Sequence, residues 1–124
     1  MKKEQIHTEH APAAIGPYSQ GIDTGSIVYT SGQIPVAPDG SVSDDIAQQT
    51  HQALQNLKAV LEAAGSGLDK VIKTTVFITD MSRFGIINGV YAQYFSMPYP
   101  ARSCVQVAAL PKGVGIEIEA VALK

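Results

Sequence analysis

Arg102, Cys104, Glu117 and Glu119 are the residues of this chain whose types and spacing hold the most chemistry. If Ala101–Ala108 is a strand, Arg102, Cys104 and Gln106 share one face while Ser103, Val105 and Val107 share the other. A guanidinium then stands beside a lone thiol on a half-buried surface. In Ile116–Lys124 the same parity groups Glu117 with Glu119 and sets Ile116, Ile118 and Ala120 against them. A hairpin turning at Leu110–Gly113 with a symmetric register would place Arg102 opposite Glu119 and Cys104 opposite Glu117. A fixed arginine fork beside a carboxylate can hold a small acid and a water. The same residues also fit an arginine salt-bridged across a sheet beside a solvated strand glutamate. Parity does not separate Glu117 from Glu119 in these roles.

These residues need a framework, and the hydrophobic period changes cleanly along the chain. Ile27–Ile34 is β-branched and aromatic, follows Thr24-Gly25 and ends at Pro35, which predicts a strand. Gly32 within it marks either a bulge or a close approach to the backbone. A short strand is expected before it, over Ser19–Asp23, and a loop after it, over Ala37–Ser43. Ile46, Thr50, Ala53, Leu54, Leu57, Val60, Leu61 and Ala64 fall on one face of an amphipathic helix of about five turns. Ser43 or Asp44 can cap its start, and Gly65 or Gly67 suits its end.

Val71–Thr79 reads as the next strand, and a second helix is expected from Ser82 to Phe95, with Phe84, Ile87, Tyr91 and Tyr94 on one stripe. Gly85 and Gly89 weaken that helix by roughly 1 kcal/mol each relative to alanine, so close packing on the sheet is the expected reason for them. Ser96–Pro100 breaks the helix ahead of the arginine strand. The order predicts an α+β protein with both helices on one face of a mixed sheet. Its strands are apolar on both parities at Val71 and Ile72, at Phe77 and Ile78, and at Ala120, Val121 and Ala122. The second face of the sheet is therefore expected to lie against other subunits.

Bulk properties bound the function. A chain of 124 residues predicts one domain, 1–124. A net charge of -2 offers no basic stripe for nucleic acid. Charged residues are 16% of the chain, against roughly 25% in average soluble domains, which fits either an oligomer or a bland surface. Cys104 is the only cysteine, which rules out an intrachain disulfide and a multi-thiolate metal site. His7, His10 and His51 do not fall at metal-ligand spacing, with His7 and His10 in an N-terminus expected to be mobile. No metal is expected. No apolar run reaches membrane-spanning length and no leader precedes the first polar residues, so a cytoplasmic location is expected.

Four stretches resemble the signatures of the RidA/YjgF/UK114 family of small 2-imino acid deaminases. They are APAAIGPYSQG at Ala11–Gly21, TSGQIP at Thr30–Pro35, VIKTTVFITD at Val71–Asp80, and PARSCVQV at Pro100–Val107 together with IEIEAVA at Ile116–Ala122. The resemblance implies a chorismate-mutase-like α+β fold, a homotrimer whose sheets form a central barrel, and a cleft at each subunit interface. It also implies hydrolysis of 2-imino or 2-enamino acids, such as 2-iminobutanoate and 2-iminopropanoate, to 2-oxo acids and ammonia, without a cofactor.

The family pattern assigns roles residue by residue. Arg102 matches the arginine that takes the substrate carboxylate, and Glu117 the glutamate that orients or activates water. Tyr18, Ser31 and Gly32 match cleft-lining positions, and Asn88 can hydrogen-bond across the interface. Cys104 is expected to present its backbone rather than its sulfur, although Arg102 beside it would lower the thiol pKa. Ala109 stands where an arginine is common in relatives, which removes a charge near the cleft rim. A protonated imine is already electrophilic, so positioning and electrostatics suffice and no triad is needed. The alternative classes are a non-catalytic small-molecule-binding regulatory trimer and an RNA-directed role, the latter opposed by the acidic balance.

Overall fold

The computed structural model describes residues 1–124, and strand β4, Val71–Ile78, lies one strand in from an edge of its sheet. Six strands form one mixed sheet: β1 (Glu4–Ile6), β2 (Gly21–Asp23), β3 (Ile27–Thr30), β4, β5 (Ala101–Gln106) and β6 (Ile116–Leu123), in the order β1-β2-β3-β6-β4-β5. Two helices, α1 (Ile46–Ala63) and α2 (Phe84–Tyr91), complete the α+β architecture.

Helix α1 buries the predicted stripe. Ala53, Leu54, Leu57, Val60 and Leu61 are fully buried, each large side chain contributing about 1.5–3 kcal/mol. Its cap is Asp45, whose carboxylate accepts from the Gln48 amide at 3.0 Å, one residue after the expected Ser43 or Asp44. Ser43 instead holds the approach, its hydroxyl accepting from the Asp45 amide at 3.1 Å. The helix ends at Gly65, whose φ of +81° suits glycine, while Ser66 N donates back to Leu61 O at 3.0 Å.

The core lies between the helices and one parity of the sheet. Val28, Val76, Ile78, Ile116, Ile118, Ala120 and Ala122 point into it with Ile87, Val90 and Tyr91 of α2. Helix α2 is shorter than the predicted Ser82–Phe95. Asp80 caps a tight 3-10 turn at Met81–Arg83, and the chain after Tyr91 unwinds through i−3 bonds from Gln93 and Tyr94. Gly85 and Gly89 are exposed with open space above them, so they do not serve close packing on the sheet. The N-terminus is also more ordered than expected, because β1 pairs antiparallel with β2 at Glu4–Asp23 through Ile6–Gly21.

The predicted Arg102/Glu119 hairpin does not form. β5 pairs with β4 in parallel, Arg102 against Thr74 and Cys104 against Val76. β6 pairs antiparallel with the other side of β4, Glu119 against Thr75 and Glu117 against Phe77. The nonpolar β4 thus takes an interior position, while the polar ARSCVQ segment becomes a sheet edge. The chain crosses from β4 through α2 into β5, the connection that a parallel pair requires.

The sheet face away from the helices carries Tyr29, Phe77, Val105, Val121 and Leu123 among polar residues. Tyr29 is 49% exposed, Val105 43% and Leu123 49%. No helix of the structure is long and apolar enough to cross a membrane.

Candidate functional site

Arg102 stands on the helix side of edge strand β5, and α2 holds it from three positions of one stripe. Its Nη1 donates to Asn88 Oδ1 at 2.7 Å. Its guanidinium carbon lies 4.8 Å from the Tyr91 ring centroid and 5.3 Å from that of Phe84. Residues 84, 88 and 91 recur at helical spacing, so the same face meets the arginine. No carboxylate of the chain pairs with Arg102, which rules out the arginine salt-bridged within its own sheet. The fork thus has one hydrogen bond and two aromatic contacts, and no ion-pair partner within the chain.

Cys104 adds a second donor at the same edge. The Val107 amide donates to Ile78 O at 2.8 Å, so β5 turns the amides of residues 103, 105 and 107 toward β4. Alternation then points the amides of Arg102, Cys104 and Gln106 off the free edge. The thiol itself is half-buried, and burial pushes its pKa up against the smaller opposing effect of Arg102. The expected lowering by Arg102 is therefore outweighed by desolvation, and a neutral thiol is a poor nucleophile. Arg102, Asn88 and Cys104 form one group, a guanidinium and an edge amide on a rigid support.

Glu117 belongs to the opposite face, since its cross-strand partner Phe77 has the parity that points away from the helices. It is half-buried, and burial, reinforced by Glu119, raises its pKa from the ordinary carboxylate value. A β-carbon on Gly32 would overlap Glu117 Oε2 and lie 2.6 Å from its Cδ, so the absent side chain makes room for this carboxylate. Of the two readings of Gly32, a bulge or a close approach, the second holds: the residue lies beyond the end of β3 at Thr30, and Glu117 packs against it. Gln33, beyond it, rejoins the sheet through its amide to Ile118 O at 2.8 Å.

Ser31 and Tyr18 lie on the Glu117 side. Ser31 Oγ donates to Ser19 O at 2.6 Å, and its amide donates to Gln20 O at 2.9 Å, binding the Tyr18 loop to the end of β3. Tyr18 is 51% exposed, and its hydroxyl accepts from the Ile15 amide at 3.3 Å. A shallow groove lined by Tyr18, Ser19, Tyr29, Thr30 and Ser31 runs along this edge.

The candidate residues thus divide into two groups that the single chain keeps apart. β4 separates the strands of Arg102 and Glu117, and three residue steps separate their rows, about 14 Å between Cα atoms at ordinary strand spacing, with the side chains on opposite faces. None of the main grooves of the chain joins the groups; one of them lies between Leu68–Ile72 and Tyr94–Pro100. The sequence singled out Asn88 but missed Phe84 and Tyr91 as neighbours of Arg102. Their 84/88/91 spacing was available, but only the parallel β5 placement reveals what that stripe faces.

The fold and its two residue groups define a small α+β protein with an unpaired arginine fork and a perturbed carboxyl on opposite faces of one sheet. The chain belongs to the RidA/YjgF family: residues 8–124 match the family model described as "Endoribonuclease L-PSP". It is 54% identical over 123 residues to the 2-iminobutanoate/2-iminopropanoate deaminase of Salmonella typhimurium strain LT2, covering 96% of each protein. The crystal structure of Escherichia coli TdcF with bound serine superposes with a TM-score of 0.94 at 52% identity, covering 98% of this chain and 99% of that one. The crystal structure of the Escherichia coli YjgF gene product gives 0.92 at 50% identity, covering 98% of both.

Proposed function

We propose that this protein hydrolyses 2-imino and 2-enamino acids, among them 2-iminobutanoate and 2-iminopropanoate, to 2-oxo acids and ammonia. The observation that carries this is Arg102, an uncompensated guanidinium held by Asn88 and two aromatic rings beside an open edge amide. That arrangement matches an α-carboxylate: two oxygens for the fork, with the Cys104 amide available to one of them. The name of the Salmonella relative and the serine bound to TdcF both point to small α-amino-acid-derived ligands.

The site is complete only when a second copy brings Glu117 to the Arg102 of the first. The partly apolar open face supports such an assembly, and the family resemblance supports a homotrimer with a cleft at each interface. In this reading 1–124 is one domain, and the protein acts in the cytoplasm, removing reactive metabolites where they form. Tyr18, Ser31 and Gly32 come with Glu117; Asn88 and Cys104 come with Arg102.

Arg102 holds the carboxylate and places the imine carbon before a water. Glu117, its pKa raised by burial, takes one proton as the water oxygen bonds to carbon and the C=N π pair moves to nitrogen. The same carboxyl returns that proton to the amine. The C–N bond then breaks as the hydroxyl oxygen forms C=O, and ammonia leaves with the final proton. Electrostatic holding of an already electrophilic carbon does most of the work.

The test is semicarbazide trapping of 2-iminobutanoate released by a threonine dehydratase. Wild type suppresses the semicarbazone, and Arg102→Ala, folded and assembled, does not. Unchanged trapping with wild type would leave a ligand-binding regulatory protein as the reading of the same cleft.

A further inference from the structure

We infer that Tyr91, supported by Thr74 and joined by Phe84, is the positioning residue that sets the plane of the Arg102 fork. The inference rests on the carboxylate-binding reading above and deepens it.

Arg102 is an exposed residue on a sheet edge, where an arginine ordinarily samples many rotamers. Bidentate recognition needs its planar fork fixed before the ligand arrives. Asn88 grips one nitrogen, at 2.7 Å, but a single hydrogen bond leaves the plane free to rotate. The ring of Tyr91 at 4.8 Å and that of Phe84 at 5.3 Å remove that freedom by giving the cation aromatic contacts.

Tyr91 is itself fixed. It is buried, and its hydroxyl lies 2.7 Å from Oγ1 of the fully buried Thr74. Thr74 is the cross-strand partner of Arg102. Backbone pairing therefore runs from Arg102 to Thr74, a hydrogen bond from Thr74 to Tyr91, and a cation–π contact from Tyr91 back to Arg102. The closed circuit ties the guanidinium to the register of β4 and β5. Buried threonine and tyrosine hydroxyls satisfying each other also avoid the cost of an unpaired polar group in the core.

The test is a double-mutant cycle on the assembled protein, reading KM and kcat for 2-iminobutanoate and the Kd of 2-oxobutanoate. Tyr91→Leu is expected to raise KM and Kd about five- to ten-fold with kcat nearly unchanged, while Tyr91→Phe, which keeps the ring, restores most of the affinity. In an Arg102→Lys background, which binds more weakly but measurably and lacks the flat face, Tyr91→Leu is expected to add nothing further to the loss in affinity for 2-oxobutanoate. An unchanged KM in Tyr91→Leu, or an equal loss of affinity in the Arg102 and Arg102→Lys backgrounds, would overturn the inference and leave Tyr91 a core residue only. Should Tyr91→Leu fail to fold, Phe84→Leu, at a half-buried position, carries the same cycle, with a loss confined to the Arg102 background supporting the inference and an equal loss in both overturning it. Wild type that neither binds 2-oxobutanoate nor deaminates would instead remove the underlying reading, and this inference with it.

Discussion

The carboxylate of Glu117 occupies the space that a side chain at residue 32 would need. β3 stops at Thr30 and Gln33 resumes pairing with β6, so Gly32 lies in the gap between them, where the carboxylate finds its room.

That relationship predicts that Gly32→Ala costs activity more than stability. The atoms a new β-carbon would meet are the flexible end of Glu117, which can swing away at little energetic expense. A displacement of about 1 Å from a productive position costs on the order of 100-fold in rate. Steady-state kinetics beside thermal unfolding checks this: kcat falls by about ten-fold or more, by the same reasoning, while Tm stays within a few degrees.

Glu119 raises the pKa of Glu117 in addition to burial. Glu119→Gln should therefore move the acid limb of the kcat/KM profile to lower pH, since Glu117 then ionises more readily. The sign for stability is the reverse of the usual carboxylate case. A carboxyl whose folded pKa lies above its unfolded one holds its proton more tightly when folded. Its favourable contribution is present below the ordinary glutamate range and is lost as pH rises through the shifted value. Glu117→Gln should accordingly flatten a fall in stability with rising pH, measured by denaturant titration across that window.

Arg102→Lys keeps the charge but discards the fork and the flat face that Tyr91 and Phe84 contact. Loss of bidentate geometry and aromatic contact together should weaken carboxylate binding by about 10- to 100-fold. Calorimetric titration with 2-oxobutanoate reads this directly, and a Kd equal to wild type would mean that charge alone suffices.

Cys104 offers its amide off the free edge of β5, and its thiol is half-buried with a raised pKa. Cys104→Ala should keep kcat within about three-fold of wild type, because the chemistry uses no thiolate, while losing about 1 kcal/mol of stability from the missing sulfur. Alkylation kinetics of the wild-type thiol should likewise be slow at neutral pH.

Much of this architecture is legible in the sequence. The 3.6-residue period of α1 locates the helix to within a residue at its end, because leucine and valine at that spacing have one way to be buried together. Strand parity correctly puts Arg102 with Cys104 and Glu117 with Glu119. Register is another matter. Two neighbouring strand-like segments suggest a hairpin, but β4, more than twenty residues earlier, competes for both and lies between them. That choice follows from burying the β-branched VIKTTVFI on both edges, a nonlocal energy that neither segment contains. The strand Glu4–Ile6 is too short and polar to announce itself, and it forms because β2 offers an edge. The platform of Phe84 and Tyr91 is hidden for the same reason as the register.

If the fork and the acid of one active site come from different copies of the chain, variants lacking one or the other must complement each other. Arg102→Ala and Glu117→Gln are each expected to be inactive in semicarbazide trapping. Mixed after dissociation and reassembled at equal amounts, the two should recover about a quarter of the wild-type rate per site, since random pairing gives that share of interfaces both native residues. Mixed oligomers, verified by native mass spectrometry, that remain as inactive as their parents would rule out a site shared between copies.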